Sequence, residues 1–426
     1  MKQRRKRFGI VGFGGAGYSA ALAIRQELPD AKIDVFTDTE EGPYNPMLTT
    51  YYVKDAIPYK ACFPFGGKEE IKHALNLNLF EDTPVTGLIA RQRKLVLADG
   101  KKHIYDKILI ATGASAFVPR MPGAELPGIY KMRTLEDAKK LKEDIDDGRI
   151  KTGLVIGASW VGIKVVEDFL HAGIETTLVD GAPYMFAVAA FPEAAARVQK
   201  DLEKRGVKLS FGQMLSHIEQ EEGGRLTAVM QSGDRFSADT VAVCIGVRPN
   251  TGFLRESGIE IGRGITVNDR MQTNFPDIYA AGDCCEAIET QSGAHKNIGV
   301  WMNALKQGEA AGKNMAGGDA KFGANILVNL AHYADYDFVS MGDVASVRPE
   351  DEVYEYEDKK YYIRAARDAH RVKCINMIGT AGLNGVVKSL FIKAISEEKP
   401  QIDRMTAGML IGNGIPGEFI RFIIPN

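Results

Sequence analysis

Two short apolar runs, each followed by a glycine-rich turn, dominate the hydrophobic pattern of this chain. The first run is Phe8-Gly9-Ile10-Val11 and the second is Leu154-Val155-Ile156. After the first turn, apolar residues recur every three or four positions, at Ala21, Ile24 and Leu28. This spacing predicts a buried strand, a tight turn and a helix, and the second run has the same continuation.

The two turns have the spacing G-x-G-x-x-G or a close variant of it. The first reads Gly12-Phe13-Gly14-Gly15-Ala16-Gly17, and the second reads Gly157-Ala158-Ser159-Trp160-Val161-Gly162. The first glycine of such a loop makes the turn, the second lets the backbone approach a pyrophosphate, and the third lets the helix pack on the strand. The N–H groups at the helix N-terminus attract the phosphates. Two such loops predict two bound dinucleotides.

Each glycine loop is followed by a second predicted strand with an acidic residue near its end. Asp180 follows the strand 177–179, and the strand 33–36 is followed by Thr37 and Asp38. An acid at this point accepts a hydrogen bond from a ribose hydroxyl. In the first unit either Thr37 or Asp38 stands at the strand end, so both are candidates. The alternative for each aspartate is a solvated loop acid.

The chain repeats a plan of loop, helix, strand, hairpin and small-residue strand end. The first copy ends in Ala111-Thr112-Gly113 and the second in Cys244-Ile245-Gly246. Beyond residue 325, hairpin patterns near 354–364 and a helical pattern at 385–394 predict a separate domain. The predicted fold class is α/β, with two Rossmann-like dinucleotide-binding domains and a C-terminal α+β domain.

Composition narrows the function classes. The 426 residues carry a net charge of −2 without a basic stripe, so no nucleic-acid partner is expected. No apolar run approaches the roughly 18 residues of a membrane span. The basic residues 2–7 precede a glycine-punctuated strand rather than a signal-peptide core, which favours a cytoplasmic protein. Five cysteines without CxxC spacing predict buried thiols, and neither a disulfide framework nor a metal site.

Residues 6 to about 318 resemble the FAD/NAD(P)H pyridine nucleotide-disulfide oxidoreductase superfamily. The resemblance rests on both glycine loops, Ala111-Thr112-Gly113, Gly246-Val247-Arg248-Pro249-Asn250, and the segment 273–283 that ends in Gly282-Asp283. Residues 301–308 resemble a helix of the branch that holds rubredoxin and ferredoxin reductases and the flavin domain of NADH-dependent nitrite reductases. The resemblance implies a glutathione-reductase-like fold. FAD would bind to 1–119 and 247–325, NAD(H) to 120–246, and 326–426 would form the C-terminal domain.

The resemblance also implies roles for individual residues. The residues expected to hold FAD are Gly12, Gly14, Gly15, Ala16, Gly17, Thr37, Asp38, Asn45, Ala111, Thr112, Gly113, Gly282 and Asp283. The residues expected to hold NADH are Gly157, Ser159, Val161, Gly162, Asp180 and Gly246. Asp283 would accept a hydrogen bond from the ribityl chain, and nicotinamide would lie against the flavin for hydride transfer. NADH is favoured over NADPH because Asp180 would repel a 2′-phosphate, and Gly181 rather than a cation follows it.

Two departures from the family pattern change the expected chemistry. Met47 stands near the position of the redox cysteine of disulfide-reducing members, and Cys62 lies 15 residues downstream, so no redox-active disulfide is expected. A lysine–glutamate pair of the electron-transfer branch is replaced by Thr50 and Lys164. Lys164 either takes a place near the flavin or lies on the helix surface. Thr50, Lys164 and Trp301 are the candidate catalytic residues.

The leading hypothesis is an NADH-dependent FAD oxidoreductase that passes electrons to a small electron-carrier protein. One alternative is a self-contained NADH oxidase or small-molecule reductase, and another is a non-enzymatic flavoprotein that senses NADH. The oligomeric state stays open, with a homodimer as one alternative. The glycine-rich tail after Met405 has no assigned role.

Overall fold

The computed structural model describes residues 4–323, 325–379 and 382–424. These residues form two compact units. The first unit contains Met1–Tyr52, Ile57–Ser115 and Val247–Asn325, and the second contains Val53–Ala56, Ala116–Gly246 and Ile326–Asn426.

The strands follow one another in chain order. They are β1 (Arg7–Val11), β2 (Lys32–Phe36), β3 (Leu77–Phe80), β4 (Val85–Ile89), β5 (Lys94–Leu97), β6 (Lys102–Ile104), β7 (Lys107–Ile110), β8 (Ala114–Ala116), β9 (Ile129–Tyr130), β10 (Thr152–Ile156), β11 (Glu175–Asp180), β12 (Lys208–Phe211), β13 (Leu215–Gln220), β14 (Leu226–Met230), β15 (Arg235–Ala238), β16 (Thr240–Val243), β17 (Val247–Pro249), β18 (Ile265–Thr266), β19 (Ile278–Ala280), β20 (Cys285–Ile288), β21 (His295–Lys296), β22 (Val328–Tyr333), β23 (Tyr336–Gly342), β24 (Glu352–Glu357), β25 (Tyr361–Arg367) and β26 (Val372–Gly379).

The α-helices are named in the same way. They are α1 (Gly15–Glu27), α2 (Thr49–Val53), α3 (Lys68–Ala74), α4 (Leu135–Asp146), α5 (Trp160–His171), α6 (Pro192–Lys204), α7 (Trp301–Ala316), α8 (Asn384–Ser396), α9 (Arg404–Gly412) and α10 (Gly417–Ile423). Short 3₁₀ turns lie at Pro46–Leu48, Tyr59–Cys62, Ala90–Gln92, Gly252–Leu254 and Val344–Ser346.

A five-stranded sheet forms the centre of the first unit, in the order β19-β7-β1-β2-β3, and every neighbouring pair is parallel. The chain winds from β1 through β2 to β3 on one side, and places β7 and β19 on the other. The direction of winding therefore changes between β1 and β7. Ligands of open α/β sheets bind at the carboxyl ends of the strands, at such a point of reversal.

Helices α1 and α7 of the first unit pack against each other through glycine. A Cβ added at Gly308 or at Gly312 would overlap the backbone of α1, so the helix axes approach more closely than side chains allow. Because α7 begins at Trp301, this packing holds the indole over the first turn of α1. A Cβ added at Gly15 would lie 2.5 Å from the indole ring.

The second unit contains a parallel sheet of the same kind, with five strands in the order β12-β11-β10-β16-β9. β10 is the central strand of this sheet, as β1 is in the first unit. β11 and β12 lie on one side of it, and β16 and β9 lie on the other. The two Rossmann-like sheets expected from the sequence are therefore present, and the predicted α/β class is confirmed.

The second unit also contains a five-stranded antiparallel sheet built from the C-terminal residues, in the order β22-β23-β26-β25-β24. The glycine-rich tail, for which the sequence assigned no role, forms α9 and α10. Leu410 and Phe419 of these helices are buried in one core with α8 and the sheet. The division into three domains stays a prediction. Among the described residues, no helix has the length and apolar character needed to cross a membrane.

Candidate dinucleotide-binding sites

The first glycine loop joins β1 to α1 with a geometry that only glycine satisfies at two positions. Gly12 has a positive φ of 104°, and a Cβ there would overlap the carbonyl of Ala111 at the end of β7. Its N–H donates to the carbonyl of Phe36 at 2.8 Å, which ties the loop to the end of β2. A Cβ at Gly17 would overlap the carbonyl of Gly12. These two glycines are required by the fold itself.

Gly14 is different, because the protein leaves space beside it. Its backbone is extended, with φ −83° and ψ −167°, and a Cβ added there would meet no atom within 4 Å. Gly14 is also the N-cap of α1, and no side chain caps this helix. Open space in front of uncapped helical N–H groups suits a phosphate. The loop therefore fits the pyrophosphate of a dinucleotide.

The other residues expected to hold FAD lie mostly at the same edge of the first sheet. Thr37 and Asp38 follow β2, the segment 111–113 follows β7, and Gly282 and Asp283 come just after β19. Thr37 is buried and Asp38 is exposed. Because the strands are parallel, their carboxyl ends meet at one edge, which gathers residues far apart in sequence.

Two supporting side chains at this edge were missed by the sequence reasoning. The amide oxygen of Gln307 on α7 accepts a hydrogen bond from the N–H of Gly282 at 2.8 Å. The backbone carbonyl of Asn250 accepts a hydrogen bond from the Thr112 hydroxyl at 2.8 Å, and the Asn250 side-chain amide donates to the Thr112 carbonyl at 3.0 Å. Both residues lie in segments that carry the family resemblance, so that resemblance was the available signal. They hold the turns after β19 and β7 in place.

Asn45, Thr50 and Trp301 do not belong to the segments that follow the strands of the parallel sheet. The Asn45 side chain accepts from the N–H of Met47 at 3.0 Å and so caps the 3₁₀ turn that follows. Thr50 is buried within α2. Trp301 stacks on Phe65, with ring centroids 6.0 Å apart. A cofactor role for Asn45 and catalytic roles for Thr50 and Trp301 stay predictions.

The second glycine loop repeats the first in the second unit. A Cβ at Gly157, whose φ is 111°, would overlap the Cys244 carbonyl at the end of β16, and a Cβ at Gly162 would overlap the Gly157 carbonyl. Ser159 takes the place of the middle glycine and caps α5. Its hydroxyl accepts from the N–H of Gly162 at 3.2 Å and donates to the Cys244 carbonyl at 3.0 Å. Val161 lies exposed on the first turn of α5.

Asp180 ends β11 with its carboxylate fixed by two backbone groups. One oxygen accepts from the N–H of Ala158 in the glycine loop at 2.5 Å, and the other from the N–H of Ala182 at 2.7 Å. A carboxylate has about four acceptor positions. Asp180 therefore retains acceptor capacity for a ribose hydroxyl while it anchors the loop. Gly246, beyond β16, is bordered by open space.

The family model described as pyridine nucleotide-disulphide oxidoreductase matches residues 6–308. The chain belongs to this family. It is 34% identical to an NADH oxidase of Methanocaldococcus jannaschii over 74% of this chain and 70% of that protein. It is 29% identical to a rubredoxin-NAD(+) reductase of Pseudomonas putida over 72% of this chain and 79% of that protein.

Several solved structures have a similar fold. A water-forming NADH oxidase from Lactobacillus brevis, bound to NADH, matches with a TM-score of 0.87 and 21% identity over 93% of each chain. Putidaredoxin reductase, in a covalent complex with putidaredoxin, matches with a TM-score of 0.85 and 21% identity over 98% of each chain. At this identity the two structures establish the fold.

Membership of the pyridine nucleotide-disulphide oxidoreductase family confirms the predicted enzyme class. The chain is an FAD- and NAD(H)-dependent oxidoreductase, as the two loops indicated. The non-enzymatic alternative loses its support because the relatives are enzymes. The relatives include both NADH oxidases and reductases of small electron carriers, so the electron acceptor is not decided by membership.

The cysteines of this family member are all buried free thiols. Burial raises the pKa of every one of them, to about 12 for Cys244 and Cys374 and to about 11 for Cys284, and also upward for Cys62 and Cys285. The thiolate is the reactive form, so these side chains are held in the unreactive state near neutral pH.

Cys62 lies nearer to the Met47 segment than the 15-residue separation suggested. The Cys62 carbonyl accepts a hydrogen bond from the Asn45 N–H at 2.8 Å, so the two 3₁₀ turns are adjacent. The Cys62 side chain is nevertheless completely buried.

Lys164 is not a solvated surface lysine. It is 9% exposed, forms an ion pair with Glu167, and donates to the backbone carbonyl of His332 at 2.5 Å. Glu167 also lies 3.6 Å from the ammonium of Lys54, which belongs to the same unit. α5 thus contains a lysine–glutamate ion pair of its own, between residues about one helical turn apart. The place of Lys164 relative to the flavin stays a prediction.

Asp168 adds a buried acid to this part of α5. It is 1% exposed, and neither carboxyl oxygen has a hydrogen-bond partner among the described residues. Burial holds its pKa well above the ordinary value, although Lys54 and Lys164 act in the opposite direction. Burial thus disfavours the charged form of this carboxyl group.

Proposed function

We propose that this chain takes a hydride from NADH and delivers the electrons, through FAD, to a small redox protein. The observation that carries the proposal is the duplicated loop geometry. A Cβ added at Gly12 or Gly157 would overlap the carbonyl that follows the neighbouring strand, β7 or β16. A Cβ added at Gly17 or Gly162 would overlap the carbonyl of Gly12 or Gly157. Two loops of this kind support one dinucleotide each.

We assign FAD to residues 1–119 with 247–325, and NADH to residues 120–246. Gly14 leaves room for the FAD pyrophosphate, and Asp283 would accept a hydrogen bond from a ribityl hydroxyl. FAD, when bound, supplies a hydride acceptor that can release its two electrons one at a time. The residues of the chain orient the two nucleotides and exclude water. The third part, 326–426, is assigned as a C-terminal domain.

The preference for NADH rests on Asp180. Its carboxylate is fixed in place by the N–H groups of Ala158 and Ala182, so it cannot turn away from a bound ribose without losing both bonds. A ribose 2′-hydroxyl can donate to this carboxylate, whereas a 2′-phosphate adds like charge beside it.

The proposed acceptor follows from the state of the thiols. A disulfide relay needs a reactive thiolate, and all five thiols are buried with raised pKa values. Electrons then leave from the flavin itself, which suits a one-electron carrier. The rubredoxin-NAD(+) reductase relative supports this acceptor class.

A second candidate is an NADH oxidase that reduces oxygen or another small molecule. It shares the same reaction with NADH, and the relative at 34% identity is named an NADH oxidase. The two candidates differ only in what accepts the electrons, so acceptor specificity separates them.

The test is NADH consumption by the FAD-loaded protein with oxygen, a quinone dye, ferredoxin or rubredoxin as acceptor. Turnover that is fastest with a redox protein supports the proposal, and turnover that is fastest with oxygen or the dye supports the second candidate. Stoichiometric flavin reduction without turnover on any acceptor would revive the sensor hypothesis. Wild-type protein that folds but cannot take up FAD would refute all three.

A further inference from the structure

A methionine from the neighbouring strand end covers the backbone beside Asp180. Gly181 follows Asp180, and a Cβ added at Gly181 would overlap the Sδ atom of Met214. The thioether therefore occupies the place where a side chain at position 181 would begin. Met214 is 56% exposed, so the same side chain presents an apolar surface to the outside.

Backbone hydrogen bonds hold Met214 in this place. The N–H of Gln213 donates to the Asp180 carbonyl at 2.8 Å, and the N–H of Gly212 donates to the Ala182 carbonyl at 2.9 Å. β11 and β12 are parallel neighbours, so their carboxyl ends lie side by side. The position of Met214 relative to Asp180 is consequently set by the sheet and not by a loose loop.

The chemistry of this surface distinguishes a hydroxyl from a phosphate. Neither 181–183 nor 212–214 contains a lysine or an arginine. A 2′-phosphate placed against a thioether loses water without gaining a cation, which is costly for a charged group. A 2′-hydroxyl can donate a hydrogen bond to Asp180, and the rest of the adenosine can pack on the apolar side chain of Met214.

We propose that Met214 is a specificity-determining residue, whose thioether excludes a 2′-phosphate and so reserves the site for NADH. The inference rests on the proposed function, because it takes the second unit as the nucleotide site. Met214 is then a second determinant of NADH specificity besides Asp180, and it follows β12 whereas Asp180 ends β11.

The test measures binding of two adenosine fragments to the FAD-loaded protein by calorimetry. 5′-AMP carries the free 2′-hydroxyl, and adenosine 2′,5′-bisphosphate carries the 2′-phosphate. Wild-type protein should bind 5′-AMP more tightly. Met214→Arg should strengthen binding of the bisphosphate by about tenfold, the value of one charge-assisted hydrogen bond, and change 5′-AMP binding little.

Two control variants distinguish an effect of the side chain at position 214 from an effect of added charge elsewhere. Met214→Leu keeps an apolar side chain and should preserve the preference for 5′-AMP. Met405→Arg adds the same charge on the exposed face of α9 and should leave both affinities unchanged. An equal gain in bisphosphate binding from Met405→Arg would overturn the inference, since the effect would then come from net charge.

The contact itself is tested by a double substitution. Gly181 does not have a positive φ, so alanine is compatible with its backbone. Gly181→Ala should weaken 5′-AMP binding by about threefold, because the new methyl group displaces Met214. Gly181→Ala in a Met214→Ala background should have no such effect. Equal losses in both backgrounds would show that the contact has no influence on the nucleotide.

The outcomes also distinguish a failure of this inference from a failure of the proposed function. Protein that binds neither fragment, and whose flavin NADH does not reduce, contradicts the proposed function. Protein that binds 5′-AMP and is reduced by NADH, but whose Met214→Arg variant gains nothing for the bisphosphate, contradicts this inference alone.

Discussion

Replacing Gly14 by valine is expected to abolish flavin binding and leave the fold of the first unit intact. Gly14 has an extended backbone, which any residue adopts, and a Cβ there meets no protein atom within 4 Å. A Cβ at this position therefore strains neither the backbone nor the packing. Its methyl groups would occupy the space that the pyrophosphate needs.

The magnitude follows from the hydrogen bonds that the pyrophosphate would lose. Uncapped N–H groups at the start of α1 can donate about two bonds to it, each worth about 1.5–3 kcal/mol because the acceptor is charged. Losing both raises the FAD dissociation constant by roughly 10²–10⁴-fold. The unfolding free energy of the apoprotein should change by no more than about 0.5 kcal/mol, as at an open position.

Gly17→Ala is the matched control, because glycine is required there for a different reason. Its Cβ would overlap the Gly12 carbonyl, so the apoprotein itself should lose about 1–3 kcal/mol of stability. The assay combines urea unfolding of each apoprotein with FAD titration followed by flavin fluorescence. A Gly14→Val apoprotein as unstable as Gly17→Ala, or one that binds FAD with wild-type affinity, would refute the assignment of Gly14.

Three further results are expected. Asp180→Ala should reduce the ratio of kcat/KM for NADH to kcat/KM for NADPH by roughly ten- to hundredfold. The reason is the loss of one charge-assisted hydrogen bond, worth about 1.5–3 kcal/mol. Equal use of both nucleotides by the wild type would contradict this prediction. All five cysteines should resist a thiol reagent at pH 8 in the native protein and react after unfolding. Burial shields them and raises the pKa of each thiol, to about 11 or 12 for Cys244, Cys284 and Cys374, so little thiolate forms at pH 8. One thiol that reacts rapidly in the native protein would contradict it. Lys164→Met should lower the unfolding free energy, measured by urea unfolding, by about 1–3 kcal/mol, because Glu167 loses a buried partner. An unchanged unfolding free energy would mean that the ion pair is not formed.

The glycine loops could be predicted from the sequence because their geometry is local. A buried strand, a turn and a helix lie within about 20 residues, and residue type alone decides where a Cβ is tolerated. The sequence thus located both loops, Asp180 and the strand-end segments 111–113 and 282–283, together with the fold class. It did not predict the helices of the tail, because the segment 408–417 contains four glycines and the helices are stabilised by the burial of residues such as Phe419.

The contacts that complete the sites were decided only by the tertiary structure. Gln307 reaches Gly282, and Met214 reaches Gly181, across gaps in the sequence that no periodicity marks. Lys54 and Glu167 meet although 113 positions separate them. Side-chain partners of this kind depend on which strand ends and helices the fold places side by side. A local pattern fixes the direction of a backbone, whereas the neighbour of a side chain is set by packing over the whole unit.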